Sequence, residues 1–281
     1  MPNLTRVLTA LYCEPWLIQP EMHRRLCDIT WAHVNGDAHA SDGILAKFDD
    51  EVKKDRIGDV ARDGDIAILS IGGVVGRKFS SFLNSSGVTS VDVLERIVKE
   101  AKNDPSIKGM VLDVDSPGGT VSGTPEAAET LAEFSREKSL VAYTGGMMAS
   151  AAYWLSAPAD AIFASPSADV GSIGVYAAML DVSRAYENQG VHVELFKQGK
   201  YKAMGMPGTS LTDEQREYLQ ERIDGIGDWF RGYVQGNRPA VEESAMEGQT
   251  FMGRDALKVG LVDHIGTLAD AVDYARKHTA R

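Results

Sequence analysis

The chain has 281 residues, of which 43% are hydrophobic and 25% are charged, close to the averages of folded globular proteins. This length allows one large domain or two ordinary ones, and the composition excludes a mainly disordered, collagen-like or disulfide-scaffold protein. The 29 basic residues stand against 40 acidic ones, and the resulting net charge of −11 disfavours binding to nucleic-acid phosphates.

Residues 1–60 mix aromatic, polar and charged residues, and we interpret them as an N-terminal arm or small subdomain before a main domain at 61–281. The first residues do not form the apolar run of a secretory signal, and no membrane anchor is expected. Cys13 and Cys27 are too few for a disulfide framework or a four-ligand zinc site. One bridge between them stays open, but reduced thiols in a cytoplasm are the simpler interpretation.

From residue 66 onward, strand and helix patterns alternate. Strands are predicted at 66–71, 109–114, 140–143, 161–164 and 191–196. Helices are predicted at 91–101, 125–137, 149–157, 180–188 and 212–231, with two more within 251–275. A loop is predicted at 72–88. The apolar stretch 140–164 is interrupted by glycine, proline and aspartate, so we interpret it as buried core. This alternation indicates βαβ units and an α/β fold with a mainly parallel sheet.

Three loops rich in glycine and serine follow predicted strands, at the edge where binding sites form in parallel sheets. These loops are Asp115–Thr120, Gly145–Ala151 and Asp169–Gly174. Consecutive glycines free backbone N–H groups to point at an anion or at a developing oxyanion. For any one loop, glycines that serve only a tight turn are the alternative, but three such loops together favour a site.

Ser150 lies where the second loop gives way to a helix, so its hydroxyl is near the positive end of the helix dipole. Met148 and Ala152 occupy the glycine positions of a Gly-x-Ser-x-Gly motif, and a helix N-cap is the simpler role for this serine. None of the six histidines falls in a glycine-rich loop, although sequence distance does not exclude a Ser-His-Asp triad. Lys200 and Lys202 are the other candidate bases, with solvated surface positions as the alternative.

Taken in this order, the loops and the lysine segment resemble the signal peptide peptidase A family, which are serine proteases with a Ser-Lys dyad. The similarity covers about residues 64–270. Its anchors are Asp115–Gly119, Ala149–Tyr153, Gly171–Val175, Gly199–Lys202 and Ala256–Asp263. The resemblance implies a Clp protease/crotonase-like fold, in which repeated ββα and βαβ units form a mainly parallel sheet with flanking helices.

The resemblance also implies catalytic roles for three side chains. Ser150 matches the nucleophile, Lys202 the general base and Ser172 the serine that positions the lysine, whereas Lys200 is the less favoured base. Because a lysine in water has a pKa of about 10.4, a lysine base must be desolvated before it can accept the serine proton. No cofactor and no metal ion is expected.

Backbone groups would complete this site. The resemblance implies an oxyanion hole formed by the N–H groups of Gly119 and Ala151. An extended peptide substrate would add a strand beside the Gly119–Val121 segment, and Gly118, Thr120 and Val121 are the expected substrate-binding residues.

The segment Pro15–Pro20 resembles the start of the bacteriophage capsid assembly, or head maturation, proteases, and the size fits them. That similarity implies cleavage of scaffold and capsid proteins inside an assembling prohead, in the cytoplasm of a bacterial host. It also implies a ring-like homo-oligomer. Some of those proteases carry a scaffold region after the protease domain, and this chain stops near the domain end. We therefore expect scaffolding on a separate chain, or a truncated copy.

Three other functions stay open. The chain could be an unanchored cellular peptidase that degrades signal-peptide remnants. It could be a crotonase-type acyl-CoA enzyme, which shares the fold and the oxyanion loops without a Ser-Lys pair. A non-catalytic assembly factor with a relic site is the third alternative.

Overall fold

The computed structural model describes residue 11 and residues 15–34, 60–77 and 88–279. The other parts of the predicted arm, Cys13 among them, and most of the predicted loop at 72–88 lie outside the described residues. Among the residues that the structure describes, no helix is both long enough and apolar enough to cross a membrane.

Strands and helices alternate through the described residues. The strands are β1 (Trp16–Ile18), β2 (Ala61–Asp63), β3 (Ile66–Gly76), β4 (Val88–Ser90), β5 (Gly109–Thr120), β6 (Ser139–Thr144), β7 (Met147–Ala149), β8 (Ala161–Ala164), β9 (Asp169–Gly171), β10 (Thr250–Met252) and β11 (His264–Ile265). The helices are α1 (Pro20–Val34), α2 (Val91–Asn103), α3 (Thr124–Glu137), α4 (Ala151–Ser156), α5 (Ser183–Asn188), α6 (Asp213–Asn237), α7 (Gly253–Lys258) and α8 (Leu268–Lys277). A single 3₁₀ turn covers Glu243–Ala245.

The strands join in one sheet with the order β10-β9-β7-β5-β6-β8-β11. Strand β3 also pairs with β5 and carries β2 and β4, while β1 pairs with the end of β5. Most pairings are parallel, and the antiparallel ones among the described residues are β1–β5, β2–β3 and β9–β10. The predicted α/β fold with a mainly parallel sheet is confirmed.

Strand β5 positions the site because its two halves have different neighbours. Its first half, Gly109–Asp113, pairs with β6, and Ser116 in its second half pairs with Met148 of β7. The strand predicted to end at residue 114 therefore continues to residue 120, and the first predicted loop is extended chain. It stays extended because β3 also runs on, with Val74 and Val75 opposite Gly118 and Gly119.

The apolar stretch 140–164 is core, as predicted. All residues of α4 and β8 are buried, and within the described residues Trp154 stacks on Phe230 of α6 with ring centroids 4.4 Å apart. Helix α4 begins at Ala151 rather than at Ala149, because Met147–Ala149 pair as strand β7. Ser150, at the N-terminal end of α4, is thus held by an element that is buried on every side.

The strand predicted at 191–196 is not formed. These residues have no regular secondary structure, and Val191 and Phe196 are 45% and 90% exposed. An apolar alternation makes a strand only where a neighbouring strand satisfies its N–H and C=O groups. This segment pairs with none of the described strands. The helix predicted at 180–188 is correspondingly shorter and begins at Ser183.

Hydrogen bonds join the segment 256–263 to helix α4, which follows Ser150, and to strand β8. The Tyr153 hydroxyl donates to the carbonyl oxygen of Leu261 at 2.8 Å. Asp263 accepts from the Ile162 N–H at 2.7 Å and forms an ion pair with the buried Arg238 at 2.5 Å. This part of the motif therefore has a structural role, since it holds α4 and β8 in place.

We expect Arg238→Ala to lower the free energy of unfolding by about 2 kcal/mol, because it removes one partner of a largely buried ion pair. Asp263 is 35% exposed, so water offsets part of the loss. Arg276→Ala is the matched control, since Arg276 forms exposed ion pairs with Asp63 and Asp273 and should cost less than about 1 kcal/mol. Denaturant unfolding measures both variants, and equal losses would contradict a special role for Arg238.

Candidate active site

Ser150 has a backbone conformation that residues other than glycine rarely adopt. Its φ is 55° and its ψ is −117°, between strand β7 and helix α4. Such a conformation costs of order 1–3 kcal/mol and persists where the surroundings enforce it. Here the Ser150 N–H donates to the carbonyl oxygen of Gly171 at 2.8 Å, and the Ser150 carbonyl accepts from Trp154 at 3.0 Å. Its side chain makes no helix-capping hydrogen bond, so the N-cap alternative does not explain this serine.

The parallel pairing of β7 with β9 brings the two predicted catalytic serines together. Ala149 lies opposite Gly171, so Ser150 and Ser172 leave the sheet side by side. Ser172 repeats the left-handed backbone with φ 53°, and its N–H donates to the carbonyl oxygen of Gln249 at 2.7 Å. Neighbouring strands are about 4.8 Å apart, which places the two residues in adjacent positions of one turn region.

The glycines at the end of β5 are required by close contacts. A Cβ on Gly118, whose φ is 103°, would meet Ser150 Cβ at 2.9 Å and would collide with the carbonyl oxygen of Leu17. A Cβ on Gly119 would collide with the carbonyl group of Val75. Both positions therefore accept only glycine. The backbone at Gly118 lies directly against Ser150, as the predicted oxyanion loop must.

Two side chains that the sequence reasoning did not single out hold this loop. Ser116 is fully buried, and its hydroxyl donates to the carbonyl oxygen of Gly73 at 2.6 Å while it accepts from the Gly118 N–H at 3.2 Å. The Asp115 carboxylate accepts from the Met147 N–H at 3.1 Å and so ties the first loop to the second. Both residues belong to the Asp115–Gly119 motif, so their position beside two glycines was the available signal.

Ala151 is buried at the first position of α4. The first N–H groups of a helix have no intrahelical acceptor, and the helix dipole adds positive potential at this end. The Ala151 N–H, directly after Ser150 in the sequence, is therefore available to donate to a negatively charged oxygen. The oxyanion-hole role of the Ala151 N–H stays a prediction.

Among the described residues, neither candidate lysine forms a hydrogen bond with Ser150 or Ser172. Lys202 is exposed, and its N–H closes a turn with the carbonyl oxygen of Gly199 at 3.1 Å. No described residue forms a hydrogen bond or ion pair with its ammonium group. Lys200 pairs with Glu214 at the start of α6, and this hydrogen bond raises the pKa of Lys200. Ser150, Ser172, Gly118 and Ala151 lie next to one another, and no hydrogen bond joins the described Lys202 to any of them.

The predicted substrate edge is occupied. Strand β1 pairs antiparallel with β5, so that Trp16 lies opposite Thr120 and Ile18 opposite Gly118. Thr120 is buried and donates to the carbonyl oxygen of Ser122 at 3.2 Å, while Val121 is half-buried. Sequence reasoning missed β1 because it spans three residues, too few for a periodicity, and its partner is about 100 residues away. The part of the chain that the structure describes contains no group of three or more histidine, cysteine or acidic side chains that could hold a metal ion.

Comparison with known proteins agrees with the motifs. A model of peptidase family S49 matches residues 132–280. "Putative protease MJ0651" of Methanocaldococcus jannaschii is 37% identical over 179 residues, which are 63% of this chain and 58% of that protein. "Putative signal peptide peptidase SppA" of Enterococcus faecium is 31% identical over 233 residues, 81% of this chain and 67% of that protein.

A bacteriophage relative matches almost the whole chain. "Capsid assembly protease C" of Escherichia phage lambda is 28% identical over 290 residues, 98% of this chain and 66% of that protein. The chain thus spans less than two thirds of the phage and Methanocaldococcus relatives. Among solved structures, it aligns with an enoyl-CoA hydratase/isomerase family member at TM-score 0.43 and 14% identity, over 79% of this chain and 76% of that one. The predicted resemblance to signal peptide peptidases and phage capsid proteases is confirmed.

Proposed function

This chain belongs to peptidase family S49, and we propose that it is a serine endopeptidase in which Ser150 attacks the carbonyl carbon of a peptide bond. The observation that carries the proposal is the strained backbone of Ser150 at the buried N-terminus of α4, against Gly118 and beside Ser172. A strained turn that presents a serine at a helix N-terminus is a recurring device for exposing a nucleophile.

The proposed mechanism divides the chemistry among a few groups. Lys202, as a neutral amine, takes the proton of the Ser150 hydroxyl while the oxygen attacks, and later returns a proton to the leaving amine. The N–H groups of Gly119 and Ala151 stabilise the negative charge on the carbonyl oxygen of the intermediate. Ser172 holds the amine in place. The acyl-enzyme is then hydrolysed by water.

We expect a serine-reactive fluorophosphonate to label the wild-type protein and the Ser156→Ala variant, and not Ser150→Ala. Ser156 is the matched control, because it is a buried serine in the same helix whose hydroxyl donates to the carbonyl oxygen of Ala152 at 2.8 Å. Labelling followed by mass spectrometry identifies the modified residue. A wild-type protein that resists the reagent, or labelling that survives in Ser150→Ala, contradicts the proposal and favours a crotonase-type enzyme or a non-catalytic factor.

In this proposal, assembly into an oligomer removes water from around Lys202, the proposed base. Lys202 is exposed in the single chain, yet a lysine base must lose its water to become neutral. The segment around it carries unusually exposed apolar side chains, namely Leu180, Val191, Leu195, Phe196 and Met206. Large apolar residues in one exposed segment are typical of a protein interface. We propose that a ring-like homo-oligomer buries this segment and desolvates Lys202.

We expect Phe196→Glu to dissociate the oligomer and to remove peptidase activity together, because Phe196 is 90% exposed within this segment. Leu257→Glu, on helix α7, is the matched control, since Leu257 is an exposed leucine outside the segment. Light scattering gives the mass and a fluorogenic peptide gives the activity. A wild-type monomer at micromolar concentration, or a fully active Phe196→Glu monomer, contradicts this part of the proposal.

Scaffold and capsid proteins of a bacteriophage prohead are the substrates we propose. Support comes from the phage capsid protease, whose match extends over 98% of this chain. Co-expression with candidate scaffold and capsid chains should give cleavage by the wild type and none by Ser150→Ala. Cleavage of signal peptides in place of these chains would favour the second candidate, an unanchored signal-peptide peptidase, which the Enterococcus relative supports over 81% of the chain.

A further inference from the structure

Strand β1 occupies the edge of β5 where a peptide substrate is expected. Leu17 lies opposite Gly119, and the Gln19 N–H donates to the carbonyl oxygen of Pro117 at 3.0 Å. Because backbone groups alternate along an antiparallel strand, Leu17 and Gln19 direct their hydrogen-bonding groups towards β5. This is the pairing that a strand-forming peptide would make with the oxyanion loop.

The other edge of β1 is paired as well. The Trp16 N–H donates to the carbonyl oxygen of Tyr176 at 2.8 Å, and the Tyr176 N–H donates back to the Trp16 carbonyl at 3.1 Å. Tyr176 follows Ser172 by four residues, so this second edge belongs to the loop that leaves the site. Strand β1 is therefore held from both sides by the two segments that flank Ser150.

The contact with the nucleophile region is direct. The carbonyl oxygen of Leu17 packs on Gly118 at the position where a Cβ would stand, and Ser150 Cβ approaches the same point to 2.9 Å. Leu17 and Ile18 are 0% and 2% exposed. A substrate strand cannot pair with Gly118–Thr120 while β1 is there, since each N–H and C=O of an edge has room for one neighbouring strand.

We propose that Trp16–Ile18 is an intramolecular occupant of the peptide-binding edge, and that a substrate strand enters by displacing it. This inference rests on the peptidase function proposed above and adds a regulatory step to it. An incoming chain would pair antiparallel with Gly118–Thr120 and bury apolar side chains where β1 now buries its own. The uncomplexed protein is then in a closed state.

Helix α1 stabilises the closed state. Its His23 ring lies 5.2 Å from the Trp16 ring, and burial lowers the pKa of His23, which favours the neutral imidazole. Nε2 donates to the carbonyl oxygen of Leu11 at 2.8 Å, so Nδ1 accepts from the Tyr176 hydroxyl at 2.9 Å. One side chain thus connects the residues on either side of β1.

A reversible lock tests the proposal. Trp16 and Tyr176 exchange both backbone hydrogen bonds, a pairing with Cα atoms about 5.5 Å apart, which is within the range that a disulfide spans. Trp16→Cys with Tyr176→Cys, on a Cys13→Ser, Cys27→Ser background, should lose hydrolysis of a fluorogenic peptide when oxidised and regain it with dithiothreitol. The background protein without the pair controls for the oxidant. Full activity of the oxidised pair overturns the proposal, because β1 would then be a permanent strand.

Hydrogen exchange provides a readout that does not need catalysis. In Ser150→Ala, saturation with the same peptide should speed amide exchange at Leu17 and Gln19, since both lose their partners on β5. Unchanged or slower exchange at these amides overturns the displacement. Absence of peptidase activity in the wild-type protein would instead count against the proposed function. The failure of that function and the failure of the displacement are therefore distinguishable.

Discussion

Lys202→Arg is expected to lower kcat/KM by about 10²–10⁴-fold, the usual contribution of a general base, although the variant keeps its positive charge. Guanidinium stays protonated in proteins and cannot accept the proton of Ser150. Lys200→Arg should retain most of the activity.

The structure explains why the two lysines should differ. Lys200 holds Glu214 in an ion pair, lies over the Tyr201 ring at 4.9 Å and contributes its carbonyl oxygen to Gln215 at 2.7 Å. The Glu214 carboxylate raises the pKa of Lys200 and so stabilises its charged form, which is the opposite of what a base needs. An arginine can keep that ion pair. Equal losses in both variants, or full activity in Lys202→Arg, would show that the base has been assigned to the wrong residue.

The sequence predicted the parallel sheet and the neighbourhood of Ser150 because both depend on local signals. The apolar residues of α2 recur at helical spacing, and Val91, Leu94, Ile97, Val98 and Ala101 are buried as that spacing requires. The glycines at 118, 119 and 171 marked the loops from which the site is built. Their order along the chain, rather than any one of them, carried the resemblance to the family.

Long-range pairing was not predictable from the same signals. The local pattern predicts Gly118 and Gly119 as loop residues, whereas β1 and β3 hold them in an extended strand. Those partners lie far away in the sequence, so no local pattern reveals them. At 191–196 the error is the reverse, since a strand pattern lies on the surface with Phe196 exposed. An interface with a second copy, which we propose for this segment, would also select apolar residues there.

Ser150→Ala and Ser150→Gly are expected to be equally inactive, with a loss of roughly 10⁴-fold or more, since neither has a nucleophile. Their stabilities should differ. Alanine keeps a Cβ at φ 55° and ψ −117°, whereas glycine adopts this region without steric cost. Relief of strain of order 1–3 kcal/mol, less the greater entropy of glycine in the unfolded chain, leaves Ser150→Gly about 1 kcal/mol more stable than Ser150→Ala.

Thermal unfolding of the two variants measures that difference, and Ser156→Ala against Ser156→Gly is the matched comparison. Ser156 is a buried helical residue of α4, so glycine should there be the less stable of the pair by about 0.5–1 kcal/mol. Opposite signs at positions 150 and 156 would show that the fold maintains Ser150 in a conformation that its own side chain disfavours. The same sign at both positions would contradict the strain. A conformation kept at a cost in stability, at a serine whose Cβ lies against Gly118, is what selection for a nucleophile would produce.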